Sequence, residues 1–123
     1  MADDMFEKGL EIRKAVLGAE YVERSLENAD DFMMAFQKQV TTYCWGDGWG
    51  GEALSRRDRS LLNIGMLGAL GKTEELKLHV RGAINNGLSN DEIKEALKQV
   101  SIYAGIPAGL GAFKAAQDRK SVV

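Results

Sequence analysis

Ser55-Arg56-Arg57-Asp58-Arg59-Ser60-Leu61-Leu62-Asn63-Ile64-Gly65-Met66-Leu67-Gly68-Ala69-Leu70-Gly71 decides the fold class. Ser55 followed three residues later by Asp58 resembles a capping box with Asp in place of the usual Glu, and predicts a helix running through about Leu70. Beyond Leu61 the apolar residues fall on nearly every side, which predicts a central, buried helix. Gly65 and Gly68 each weaken a helix by about 1 kcal/mol relative to Ala. Their presence there predicts a neighbouring helix packed unusually close. Gly71 ends the element.

The helical period continues on both sides. Downstream, Thr73 is expected to cap a helix with Leu76, His79, Val80 and Ala83 on one stripe, ending at Gly87. Ser89-Asn90-Asp91-Glu92 is a full capping box for the next, with Ile93, Ala96, Leu97, Val100 and Ala104 facing the core. Pro107 suits the first turn of a final helix to about Lys120. Upstream, a helix is expected from about Asp3 to Leu17, closed by a left-handed Gly18. A short one follows from about Ala19 to Asn28. A third begins near Asp30 or Asp31, with Phe32, Phe36, Val40 and Tyr43 sharing a face, before a glycine-rich loop from Gly46 to Gly51 interrupts the pattern. With no period-2 run and no repeat, the expectation is one all-α domain of six or seven helices over residues 1–123.

Composition narrows the function classes. The chain has 123 residues, 45% hydrophobic and 28% charged, the balance of a globular protein rather than a disordered one. A formal net charge of −2 argues against nucleic acid as a partner, since no domain-wide positive field exists. The first residues lack the basic flank and apolar core of a signal peptide. The most apolar window, Leu61 to Leu70, contains Asn63 and is too short to span a bilayer. A cytoplasmic protein without a membrane role is expected. One Cys and one His exclude a disulfide within the chain, a Cys-x-x-Cys pair, and a Cys₄ or Cys₂His₂ zinc site built by one subunit. No metal site is expected.

Four groups of residues could carry chemistry. His79 is the only side chain whose ordinary pKa lies near neutrality. Glu75, one helical turn earlier, is placed to fix its tautomer and favour its cation; a buried histidine bonded to a backbone carbonyl is the equal alternative. Arg56, Arg57 and Arg59 open a helix beside a flexible segment and could clamp a dicarboxylate, Arg56 and Arg59 together while Arg57 points elsewhere. A solvated surface patch is the competing reading, and Arg81 is a weaker candidate. Tyr43, Trp45 and Trp49 could wall a pocket or anchor a subunit interface. Cys44 reads as a small packed residue before it reads as a nucleophile.

Leu54 to Leu62, Met66 to Gly71, Glu75-Leu76-Lys77-Leu78-His79-Val80-Arg81 and Asn85-Asn86-Gly87 together resemble the carboxymuconolactone decarboxylase family. Glu92-Ile93, the run from Gln99 to Pro107, and upstream Val16-Leu17-Gly18 and Tyr43-Cys44-Trp45-Gly46 extend the resemblance over about Phe6 to Gln117. The wider superfamily includes alkyl hydroperoxidase D, which carries a Cys-x-x-Cys-x-x-x-His motif and a glutamate on the preceding helix. With His79 matched to that histidine, the cysteine positions fall on Lys72 and Glu75, and the glutamate position near Ser60. The thiol relay is therefore missing, and a thiol-dependent peroxidase, or a family member acting on another small acid or on none, is the alternative reading.

The resemblance implies an alkyl-hydroperoxidase-D-like helical fold in a ring-shaped homo-oligomer, a hexamer. It also implies conversion of 4-carboxymuconolactone to 3-oxoadipate enol-lactone and carbon dioxide in protocatechuate breakdown. No cofactor is expected, because the unsaturated lactone is its own electron sink. In that reading His79 donates the proton, Glu75 orients it, Arg56 or Arg59 clamps the anion, and Trp45 shields the pocket from water.

Overall fold

The computed structural model describes residues 2–119, all of whose regular structure is helical. Seven α-helices occur among the described residues: α1 (Ala2–Leu17), α2 (Ala19–Glu27), α3 (Asp31–Gln39), α4 (Arg56–Leu70), α5 (Thr73–Asn85), α6 (Asn90–Ala104) and α7 (Ile106–Gln117). A π-helical segment, Val40–Gly48, continues α3. The helices group into two compact units, Met1–Ser55 and Arg56–Val123.

In the first unit α1 lies against the π-helical segment. The approach is backbone on backbone: a Cβ on Gly9 would overlap the Thr41 carbonyl oxygen, and one on Gly46 would sit 2.5 Å from the carbonyl of Met5. Ile12, Val16, Leu17, Val22, Trp45 and Trp49 are buried. Gly18 takes φ +98° at the end of α1, as its position predicts. The Asp30 carboxylate caps α3 by accepting the Met33 N–H at 2.9 Å.

Two expectations for this unit change. The helix does not stop before Gly46 but widens and runs through Gly48, with Trp49 N–H bonded to the carbonyl of Cys44, five residues back. Packing against glycine on α1 offsets the propensity penalty that reads as a loop break. The predicted apolar face of α3 is turned outward, with Phe32 86% exposed and Phe36 and Tyr43 also exposed, while Gln37 and Thr41 are buried instead.

The second unit is built around Ile64, Leu76, Val80, Leu88, Ile93, Leu97, Val100 and the alanines Ala83, Ala112, Ala115 and Ala116. α4 and α5 form an antiparallel hairpin turned at Gly71, φ +73°, with Lys72 N–H on the carbonyl of Leu67. The capping box of α6 is present, with Ser89 Oγ accepting the Glu92 N–H and Glu92 Oε1 accepting the Ser89 N–H. Pro107 lies in the first turn of α7.

α4 is central without being enclosed. Ser60, Ile64 and Gly68 are buried, whereas Leu61, Leu62, Met66 and Leu70 are exposed. Close packing holds at Gly68, where a Cβ would lie 3.2 Å from Val100 and 3.4 Å from Ala112, and fails at Gly65, which faces open space. Thr73 is the first helical residue rather than the cap; Lys72 takes the cap position without a side-chain bond. Ala104 is exposed rather than core-facing. α7 ends at Gln117, short of Lys120, which lies outside the described residues.

Candidate functional site

The α4–α5 hairpin carries the chemistry-bearing residues of the second unit. His79 sits half-buried in the middle of α5, one turn after the exposed Glu75. Burial lowers its pKa from 6.5 to about 4, and the Glu75 charge pulls the other way without prevailing. The imidazole is therefore neutral at pH 7. Glu75 acts in the expected direction, but desolvation outweighs it.

The first turn of α4 sorts the arginines. Arg57 pairs with Glu92, whose other carboxylate oxygen is engaged in the α6 capping box, so Arg57 ties α4 to α6. Arg56 is exposed, and Arg59 is half-buried with its Nε enclosed. Arg81, two residues beyond His79, is half-buried.

Two residues to which the sequence reading gives no role in the site organise this turn. Asn86, at the C-terminal end of α5, donates its side-chain amide to Ser60 Oγ at 2.9 Å and to the Arg56 carbonyl at 3.3 Å. Ser60 is wholly buried. The bridge fixes the end of α5 to the turn from which Arg56 and Arg59 project. His79 lies seven residues before Asn86, about 10 Å along the helix axis. A buried serine in a leucine-rich helix, opposite an Asn-Asn-Gly helix end, is the signal that would have found the pair.

Trp45 and Trp49 belong to the first unit. Their rings stack at 4.7 Å between centroids and 24° between planes, and both are buried. Tyr43 points outward at the surface. Cys44 is half-buried; burial pushes its thiol pKa up, against the pull of the Arg13 cation. A thiol raised in this way is a poor nucleophile at neutral pH.

Two grooves of the second unit lie elsewhere. One, about 370 Å³, runs between α4 and α6 along Gly65, Ala69, Ala96, Val100 and Tyr103. The other, about 540 Å³, lies between α6 and α7. Neither is lined by His79, Arg56 or Arg59. Among the described residues no group of three or more His, Cys, Asp or Glu is placed to hold a metal ion, and no helix is long and apolar enough to cross a membrane.

The family model for carboxymuconolactone decarboxylases matches residues 35–118, well over half the chain. The chain belongs to the carboxymuconolactone decarboxylase family. Within it, 42% identity over 116 residues relates the chain to a 4-carboxymuconolactone decarboxylase of Acinetobacter baylyi, covering 94% of this chain and 87% of the relative. A nitrosuccinic acid decarboxylase of Metarhizium robertsii is 43% identical over 104 residues, covering 85% of this chain and 73% of the relative. Both of these family members are decarboxylases by name. The family match and the named decarboxylase relatives do not favour the peroxidase alternative, and Cys44 lies on the π-helical segment of the first unit.

Proposed function

We propose that this protein is a cofactor-independent carboxy-lyase that converts 4-carboxymuconolactone to 3-oxoadipate enol-lactone and carbon dioxide. The observation that carries the reading is the half-buried, neutral His79 on the same hairpin as Arg56 and Arg59. Loss of carbon dioxide leaves an electron pair on the γ-carbon of the unsaturated lactone. That pair delocalises into the lactone carbonyl as a dienolate, and one proton must then be delivered to carbon. The substrate is its own electron sink, so neither pyridoxal phosphate nor thiamine is required by the chemistry.

The roles follow from charge. A desolvated imidazole does not hold a proton at pH 7 unaided, but an incoming dicarboxylate favours its cation. His79 then becomes an acid because substrate has arrived, and delivers that proton to carbon. Glu75 assists by favouring the same cation. Arg59, with Arg56 at the mouth of the turn, holds a carboxylate that is not lost. A ring-shaped hexamer belongs to this reading, supported by the exposed Leu61, Leu62, Met66, Leu70, Ile102 and Tyr103, which an assembly would cover. So does a place in protocatechuate breakdown in the cytoplasm.

The nitrosuccinic acid decarboxylase favours a second substrate. Nitrosuccinate also places a leaving carboxylate beside an electron sink, the nitro group, and keeps a second carboxylate for a clamp. Assays of purified protein with each acid, following carbon dioxide release, decide between them. A kcat/KM for the lactone at least 10-fold above that for nitrosuccinate is expected. Release from neither acid would remove the decarboxylase reading.

A further inference from the structure

The groove between α6 and α7 is open to solvent, and its charge is of one sign. On α6, Asn90, Ile93, Lys94 and Leu97 stand at helical spacing on the face that lines it. On α7, Leu110, Phe113, Lys114 and Gln117 repeat that spacing. The Arg119 guanidinium reaches Asn90 Oδ1 at 3.4 Å, so the end of α7 lies beside the start of α6 and the two faces run antiparallel. From end to end the groove therefore changes character. Asn90 and Arg119 close one end, Lys94 and Lys114 flank it further in, and Leu97 and Leu110 form the other end. The helix axis covers about 10 Å between Asn90 and Leu97.

Its volume, about 540 Å³, is that of a small-molecule site. Ile93, Leu97 and Ala116 are buried along it, while Leu110 and Phe113 stay 55% and 36% exposed, apolar surface left in water. Three cations line the groove and, among the described residues, no carboxylate does, in a chain whose net charge is −2. Arg119 spends its nitrogens on the Ala116 carbonyl and on Asn90, holding the two helices together at that end. The ammonium of Lys94 has an Asp91 oxygen 3.7 Å away, but both side chains are exposed and such a pair contributes little. Lys94 and Lys114 are thus the cations that face a ligand. An apolar trough with ammonium groups toward one end complements a molecule that is apolar at one end and anionic at the other.

We propose that this groove binds an amphiphilic monocarboxylate about 10 Å long, its carboxylate at Lys94 and Lys114 and its apolar body on Phe113, Leu97 and Leu110. None of His79, Arg56 and Arg59 lines the groove, so the site stands apart from the decarboxylase reading.

The test is a calorimetric and NMR titration of the full-length protein with octanoate, kept below its micelle concentration. Octan-1-ol and acetate serve as controls at matched ionic strength. Binding through both ends gives octanoate a Kd about 10-fold below that of octan-1-ol and gives no saturation with acetate. The methyl resonances of Ile93, Leu97 and Leu110 should shift, and those of Val100 in the other groove should not. Replacing both lysines, Lys94→Gln with Lys114→Gln, should weaken octanoate about 10-fold and leave octan-1-ol unchanged. Both lysines are exposed, so the fold does not depend on them. Equal affinity for octanoate and octan-1-ol, undiminished affinity in the double variant, or shifts at Val100 instead would each overturn the proposal. So would a second copy seated in the groove, seen as the same methyl resonances moving on dilution with no binding of octanoate.

Discussion

Asn86 and Ser60 join the two helices of the hairpin through one amide-to-hydroxyl hydrogen bond of 2.9 Å, and the same amide reaches the Arg56 carbonyl. Because Ser60 is wholly buried, no water replaces a lost donor. Asn86→Ala is expected to destabilise the fold by about 1–3 kcal/mol, measured by urea unfolding. It is also expected to raise KM several-fold with a smaller change in kcat, because the turn bearing Arg56 and Arg59 loses its tether. Loss of stability with an unchanged KM would separate the bridge from substrate binding.

His79 links stability to pH. Its folded-state pKa is about 4 against 6.5 when free, so the unfolded chain takes up the proton first as pH falls. The contribution is complete above about pH 6.5 and is lost progressively down to about pH 4, roughly 3 kcal/mol in all. Unfolding free energies at pH 4 and pH 7 for wild type and His79→Gln measure it. The wild type is expected to lose more stability across that window, by about that amount. Parallel losses in the two proteins would contradict the burial of the imidazole.

The same residue makes a kinetic prediction. If His79 delivers the proton to carbon, His79→Gln and His79→Asn lower kcat by about 10²-fold or more with folding intact. In the wild type, kcat/KM reports the free protein, where His79 is already neutral above about pH 4, and should decline about tenfold per pH unit above that. The profile of kcat should break at a higher pH, since bound carboxylates raise the imidazole pKa. A kcat/KM flat from pH 5 to 8 would remove His79 as the acid.

The arginines of α4 predict opposite outcomes for neighbouring substitutions. Arg59→Lys should raise KM, because an ammonium cannot reproduce the bidentate fork, while leaving stability nearly unchanged. Arg57→Ala should do the reverse. Its pair with Glu92 is partly exposed, so its loss is worth at most about 1 kcal/mol and leaves KM alone. Steady-state kinetics with thermal melts on both variants distinguish the assignments. A KM effect confined to Arg57→Ala would exchange them.

Sequence carried much of this fold because its helix ends are chemical. The Ser89–Glu92 box and the left-handed Gly18 and Gly71 are local devices that residue types reveal directly. What periodicity does not reveal is which apolar face has a cover. Phe32 and Phe36 share a face as spaced, yet that face is open, and the buried positions of the same stretch are Gln37 and Thr41. The site divides along the same line. The placement of Glu75 one turn from His79 follows from helical spacing, whereas the burial that lowers the His79 pKa depends on tertiary packing. The continuation of the helix through Gly46 is hidden for a related reason: its stabilising contact lies on α1, far away in sequence.

That contact is open to a direct test. A Cβ on Gly9 would collide with the Thr41 carbonyl; its position is fixed by the backbone and the carbonyl is itself backbone, so no rotamer change relieves it. Gly9→Ala should therefore cost about 3 kcal/mol or more and expose Trp45 and Trp49, a change visible as a red shift in tryptophan emission. Gly111, inside α7 with nothing within 4 Å of the place a methyl would take, gives the opposite sign. There the substitution to Ala should stabilise by up to about 1 kcal/mol through helix propensity alone. Equal effects at the two glycines would mean that α1 and the π-helical segment do not depend on backbone contact. The wide helix would then have to owe its stability to the Trp45–Trp49 stack.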